Sequence, residues 1–257
     1  MDDQAGDTAV GVVGGDGTVT AALEEAGFRP VEGEPAAVLA ADPAWVVALG
    51  EQALLTLARA EPAVPILPVA AGRGVRSVPR AAVESALDRL AAGDWTTDTH
   101  PLLAVEPQDG PRELALQDAM LVTSDPADIS EFTVASGGER IARFRADGVV
   151  AATPAGSPGY ARSAGGPVIQ PGTDVVAIVP VSPFATTIDH WVVPLGEVTL
   201  TVERDEAPVD VLADDRTAGS ATVDAPVSLR SGGHVETIQV AEDRSPFARD
   251  GRELEKL

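Results

Sequence analysis

The chain has 257 residues and is 44% hydrophobic, enough to bury one large core or two modest ones. It carries 40 acidic and 18 basic residues, a net charge of −22 that argues against nucleic-acid binding, since no basic stripe is visible and phosphates are repelled. It has no cysteine, which excludes disulfides, thiolate nucleophiles and Cys-ligated metals.

In chain order, the apolar run AVGVV (9–13) predicts a short strand, followed by the glycine turn Gly14-Gly15-Asp16-Gly17-Thr18. Residues 17–27 predict a helix ended by Gly27. AAVLA (36–40) and AWVVALG (44–50) fit buried parallel strands. EQALLTLARA (51–60) is helical in composition, with Leu54, Leu55 and Ala58 on one face. VPILPV (64–69) predicts another buried strand. Residues 79–93 predict an amphipathic helix, with Pro79 in its first turn, Gly93 at its C-terminal cap and Val83, Ala86, Leu87 and Leu90 along one face. This alternation predicts a doubly wound α/β layer.

The pattern changes near residue 100. PLLAVE, ISEFTVAS, RIARFRADG, VVAATP, DVVAIVPV, WVVPL, EVTLTVE and VDVLADD are strand-like and separated by Gly, Pro and Asp turns, with GYARSAGG the one helical candidate among them. The predicted organisation is therefore an α/β domain over 1–99, an all-β domain over 100–240 and a C-terminal tail over 241–257, helical in character, that either packs back on the first domain or frays. The basic residues are 17 arginines and one lysine, Lys256. Acidic excess with lysine depletion points to a salt-adapted, halophilic protein. His100, His190 and His234 show no metal-ligand spacing, so no metal site is expected. The N-terminal MDDQAGD lacks the apolar region of a signal peptide, and no apolar run reaches membrane-spanning length. A soluble, cytoplasmic protein is expected.

The most specific stretch is FRADGVVAATPAGSPGYARSAGGPVIQP, residues 144–171. It resembles the NAD kinase family, whose pattern here runs R-A-D-G, two apolar residues, any residue, then T-P-T-G-S-T-A-Y and, shortly after, S-A-G-G-P. Upstream, LALQDAML (114–121) is similar to the segment where the family has an Asn-acid pair before a strand. VPILPVAAGRG (64–74), ALDRLAAGDW (86–95) and HPLLAVE (100–106) are similar to its glycine-rich loop, helix and domain-crossing strand. IVPVSPF (178–184) resembles the family's turn with a Cys-Pro-His core, and ADDR (213–216) loosely resembles its late Asp-Gly-Gln turn. The resemblance spans roughly residues 8 to 235. It implies an N-terminal doubly wound α/β domain, a C-terminal β-sandwich and a dinucleotide site between them. It also implies phosphoryl transfer from ATP to the 2′-hydroxyl of the adenosine ribose of NAD, with Mg²⁺.

Such a transfer needs in-line positioning, phosphate-cradling N–H groups and a carboxylate near the attacking hydroxyl. In the family the Asp of a GGDGT loop fills the carboxylate role. Spacing places that loop at Gly50-Glu51-Gln52-Ala53-Leu54, where Gln52 stands at the aspartate position. The literal GGDGT at 14–18 lies one strand too early. Gln52 is neutral and takes no proton from a ribose hydroxyl. A one-residue shift brings Glu51 near the aspartate position instead, and a plain βα turn without ligand is a further alternative. The family's glycine-rich loop loses its Asn and Phe in PVAAGRGVRS, Gln117 replaces the Asn of the pair, and Pro158 replaces a threonine.

The resemblance thus implies dinucleotide-binding residues Gln117, Asp118, Asp147, Thr153, Ser157 and Tyr160. Phosphate-loop candidates are Gly14, Gly15, Gly17, Gly50 and Gly72, and Arg143 and Arg145 are candidate phosphate binders. Blander roles stand beside these: Tyr160 as core filler, Asp147 as a turn residue, Gly165-Gly166-Pro167 as a sharp turn. The expected function is binding of NAD, NADP or another adenine nucleotide, with weak or lost kinase activity. One alternative is an active NAD kinase using Asp16 or Glu51, with ATP and Mg²⁺. Another is a regulatory or scaffold paralogue, acting as a homo-oligomer (dimer or tetramer) or paired with an active paralogue.

Overall fold

A computed structural model describes residues 8–15, 17–125, 129–185, 188–205 and 207–244. The chain divides into two compact units, Met1–Asp98 with Val235–Leu257, and Thr99–His234. The return to the first unit comes at residue 235, earlier than the boundary at 240 read from the sequence. The reason is packing: Thr237 pairs with Ile66, and Ile238 and Val240 join the core of the first unit. Residues 245–257 of the tail lie outside the described residues.

The first unit is built from β1 (Ala9–Val13), α1 (Thr18–Glu25), β2 (Arg29–Glu32), α2 (Pro35–Ala40), β3 (Trp45–Leu49), α3 (Glu51–Arg59), β4 (Ile66–Val69), a 3-10 turn (Arg80–Ala82) and α4 (Val83–Ala92). The strands are parallel in the order β2-β1-β3-β4. All five residues of β3 are buried, as a strand covered on both faces requires. The core gathers Val10, Leu23, Trp45, Leu67 and Leu87, with the Phe28 and Trp45 rings edge to face at 5.4 Å. The face of α4 is the predicted one, and Gly93 at φ 76° closes it, with Asp94 N donating to Arg89 O at 2.9 Å.

One expected strand is a helix. AAVLA forms α2, where Pro35 opens the first turn and only Pro35 and Val38 are buried. The run is apolar because its residues are mostly alanines on a half-exposed helix. The strand that belongs there is β2, whose RPVE sequence is half-exposed at the edge of the sheet.

The second unit is antiparallel. It comprises β6 (Glu113–Ala115), β7 (Asp118–Thr123), β8 (Ser130–Ser136), β9 (Glu139–Ala146), β10 (Gly148–Ala152), α5 (Tyr160–Ser163), β11 (Val175–Val181), β12 (Trp191–Pro194), β13 (Glu197–Arg204), β14 (Val209–Ala213) and β15 (Arg216–Ala221). Most of β5 (Thr96–Glu106) and β16 (Pro226–Gln239) belongs to it too. One sheet runs β12-β11-β10-β7-β14-β15, and the other runs β16-β13-β8-β9, with β5 paired to β16 and β6. Alternate residues of both sheets meet in one core, including Leu121, Phe132, Ile178, Leu200 and Val211. This is the expected β-sandwich, and the whole fold is α/β plus β-sandwich.

Candidate functional site

On the sandwich, the 144–171 block builds a tight joint. β10 ends at Ala152, paired with Asp118 at the start of β7. The chain then turns through Thr153–Gly159 into α5. Thr153 is fully buried; its hydroxyl donates to Leu116 O at 2.6 Å and its N–H donates to Gln117 O at 2.8 Å. Gly156 packs so closely on Gln117 that a Cβ there would stand 2.5 Å from the Gln117 carbonyl carbon. Ser157, also fully buried, donates to Pro154 O at 2.8 Å and accepts from Ile169 N at 2.8 Å. The hydroxyls of Thr153 and Ser157 therefore shape the turn. Gln117 and Asp118 are half-buried at its edge, and Tyr160 is 49% exposed.

A residue read from the sequence only as part of a loose match completes the joint. Asp214, in the β14–β15 turn, accepts from the N–H groups of Leu116 at 2.9 Å, Gln117 at 2.7 Å and Asp118 at 3.2 Å. The doublet Asp214-Asp215 between two alternating strands was the available signal.

Asp147 lies elsewhere. It precedes β10, whereas Thr153 follows it, so five strand residues, about 16 Å, lie between them. Its carbonyl accepts from Thr123 N at 2.9 Å and Thr123 Oγ1 at 3.1 Å. Arg143 and Arg145 are exposed on β9; Arg143 pairs with Glu131 at 2.9 Å, and the Arg145 guanidinium lies 5.8 Å from the centre of the Phe184 ring. The Arg143 bond is the main reason the Glu131 carboxyl is held below its ordinary range. His100 is buried, His190 lies against Gly165, and His234 stands 3.3 Å from Asp174. Among the described residues no group of three or more His, Asp or Glu side chains gathers to hold a metal.

In the α/β unit the two glycine turns differ. After β1, Gly14 and Gly17 adopt φ of 76° and 80° in a turn that leads into α1; Asp16 lies outside the described residues. After β3 there is no such loop. Gly50 at φ 90° caps α3, which starts at once with Glu51. Gln52 is exposed in the first turn and Ala53 is 6% exposed in the core. The two turns touch: a Cβ on Gly14 would lie 2.6 Å from Leu49 O and 3.0 Å from Ala53 Cβ. Gly14 is thus needed for packing in its own right. Carboxylates stand at both turns. Glu32 is 2.7 Å from where a Gly15 Cβ would be and accepts from Thr20 at 3.0 Å; Glu51 is 2.9 Å from where a Gly72 Cβ would be.

The family model for the ATP-NAD kinase C-terminal domain matches residues 116–238, the segment that forms this joint. The chain is 34% identical over 156 residues to the NAD kinase of Gemmatimonas aurantiaca, covering 58% of this chain and 54% of that one. It is 32% identical over 169 residues to the NAD kinase of Methanopyrus kandleri, covering 63% and 61%. It thus spans between about half and three fifths of the length of these curated relatives. The fold is similar to that of an Archaeoglobus fulgidus NAD kinase in complex with ATP (TM-score 0.73, 21% identity, 91% of this chain and 94% of that one). It is similar also to yeast NADH kinase complexed with NADH (TM-score 0.73, 15% identity, 93% and 85%). Residues 116–238 thus match the ATP-NAD kinase C-terminal domain, the flanking sequence is similar to NAD kinases, and the chain shares their fold.

Proposed function

We propose that the chain binds an adenine dinucleotide, NAD(H) or NADP(H), at the joint of its sandwich, and that its ATP-dependent 2′-phosphorylation of NAD is weak or lost. Gln117 and Asp118 supply polar contacts, the exposed Tyr160 ring supplies a stacking face, and Thr153 and Ser157 hold the turn in shape. One observation carries this reading: residues 116–117 are tied to Thr153 by its hydroxyl and N–H, while residues 50–54 form an ordinary helix start. A neutral Gln52 removes no proton, and Ala53 is committed to the core. Mg²⁺ enters this scheme only with the phosphates of ATP.

Calorimetry with NADP⁺ and NAD⁺ in molar KCl tests binding, and no heat with either ligand overturns it. A coupled assay of NADP⁺ formation from NAD⁺, ATP and Mg²⁺ tests the second half. The expected rate is near background, and turnover on the order of 1 s⁻¹ or faster, ordinary for an enzyme, overturns that half.

A second reading, an active kinase, is favoured by Glu51, whose carboxylate stands at the Gly72 turn. In that case Glu51→Gln abolishes NADP⁺ formation. Asp16→Asn is the corresponding test for the early loop.

A further inference from the structure

Three consecutive N–H groups converge on one carboxylate. Asp214 Oδ2 accepts from Leu116 N, while Oδ1 accepts from Gln117 N and Asp118 N. In an extended strand successive N–H groups point to alternate edges, so a regular strand never aims three in a row at one acceptor. The backbone between β6 and β7 is bent to do so. The carbonyls of the same residues are also fixed. Leu116 O and Gln117 O accept from Thr153, and Asp118 O accepts from Asp214 N at 2.9 Å. Residues 116–118 are therefore held on both sides, by Thr153 and by Asp214.

We propose that Asp214 is a positioning residue of the nucleotide site. It clamps the bent backbone that presents Gln117 and Asp118, and the three N–H donors satisfy its negative charge so that it does not oppose an anionic ligand. This rests on the dinucleotide-binding role given above to Gln117 and Asp118. The geometry also supplies clean variants. Asp214 sits at φ 51°, in the left-handed region that Asn tolerates and Gly prefers. Asp214→Asn and Asp214→Gly therefore keep the turn. The first replaces one acceptor oxygen by an NH₂ that faces backbone donors, and the second removes the carboxylate altogether.

The test is calorimetric titration of the full chain with NADP⁺ in molar KCl, arranged as a double-mutant cycle. Asp214→Asn is expected to weaken NADP⁺ binding about tenfold or more. In a Gln117→Ala/Asp118→Ala background the same substitution is expected to change affinity by less than about twofold, because the groups it positions are gone. General structural damage lowers affinity equally in both backgrounds, and that result overturns the proposal. So does an Asp214→Asn chain that binds NADP⁺ as tightly as the wild type. If Asp214→Asn does not fold, Asp214→Gly takes its place in the cycle. Hydrogen exchange on the wild-type chain gives an arm without any variant. The amides of 116, 117 and 118 are expected to slow together when NADP⁺ binds, and unchanged exchange in the bound state overturns the clamp. A wild-type chain that does not bind NADP⁺ overturns the dinucleotide reading itself, and the role of Asp214 with it, an outcome distinct from failure of Asp214→Asn alone.

Discussion

Gly156→Ala probes the joint with a single methyl group. The φ of Gly156 is not positive, so alanine adds no backbone strain of its own. What it adds is a Cβ 2.5 Å from the Gln117 carbonyl carbon and 3.0 Å from Gln117 Cα, and nearer still to the carbonyl oxygen. These are backbone atoms and have no rotamer to escape through. Relief to ordinary van der Waals separation moves the Gln117 peptide by about 1 Å. That movement carries the 2.8 Å bond from Thr153 N and the 2.7 Å bond to Asp214 out of hydrogen-bonding range. Overpacking costs about 1–3 kcal/mol and each lost bond about 1 kcal/mol, a total of about 3–5 kcal/mol. For a chain of this size that lowers Tm by roughly 6–20 °C. Thermal denaturation in molar KCl, followed by circular dichroism, reads the effect. Gly196→Ala is the control, since a Cβ there has nothing within 4 Å, and it is expected to melt with the wild type. A Gly156→Ala chain that melts within about 1 °C of the wild type would show that the joint is loose, and would refute the rigid support described for Gln117 and Asp118.

Four further outcomes are expected. Thr153→Val keeps shape but leaves the buried Leu116 carbonyl without its 2.6 Å donor; a loss of about 1–3 kcal/mol in urea denaturation is expected, and an unchanged midpoint contradicts it. The Arg89 hydrogen bond at 2.7 Å holds the Glu242 carboxyl below its ordinary range, so its stabilisation is present above the unfolded value and disappears as pH falls through the lower folded one. Tm is expected to drop on acidification below roughly pH 4, with a shallower drop in Glu242→Gln. Its neighbour Asp243 has the opposite sign: burial raises its carboxyl despite Arg76 at 3.1 Å, so its contribution is present at low pH and lost as pH rises through the raised value. Asp243→Asn should accordingly raise stability at neutral pH relative to acid, and no change in the profile counts against this assignment. If the charge of −22 reflects salt adaptation, Tm rises steadily from 0.1 to 2 M KCl as repulsion is screened, whereas a flat or falling curve rejects it.

Much of this structure is legible in the sequence where a segment's environment is uniform. WVVAL is apolar throughout because β3 is covered on both faces, and Val83, Ala86, Leu87 and Leu90 repeat at helical spacing because α4 buries one stripe. AAVLA misleads because alanine is apolar without being a core residue, and RPVE hides a strand because an edge needs little apolar surface. At the site the contiguous block 144–171 reveals itself as a motif. Asp214 does not, because its partners lie almost a hundred positions earlier and meet it only when β14 pairs with β7. Glu32 at the Gly15 turn is hidden in the same way, by a contact made through the β1–β2 pairing.

The two units also handle negative charge differently, and this bears on which one an anionic ligand can approach. In a chain of net charge −22, the general field opposes any phosphate. A site overcomes that field more readily where its own carboxylates are already satisfied by N–H donors. The sandwich joint meets this condition, since Asp214 draws in three backbone donors. At the turn after β1 a carboxylate stands against the backbone instead: Glu32 lies beside Gly15 and accepts the Thr20 hydroxyl. The turn after β3 passes at once into the first turn of a helix, with Glu51 in its opening position and Ala53 packed beside Gly14. A βα turn that brings a carboxylate to the N-terminus of its own helix satisfies part of the positive end that phosphate would otherwise use. A helix start in place of a glycine turn and an acid in its first turn therefore act in one direction. On the proposed reading they weaken phosphate binding in the α/β unit and leave the sandwich joint as it is, so that binding a dinucleotide and lacking the transfer are compatible in one chain.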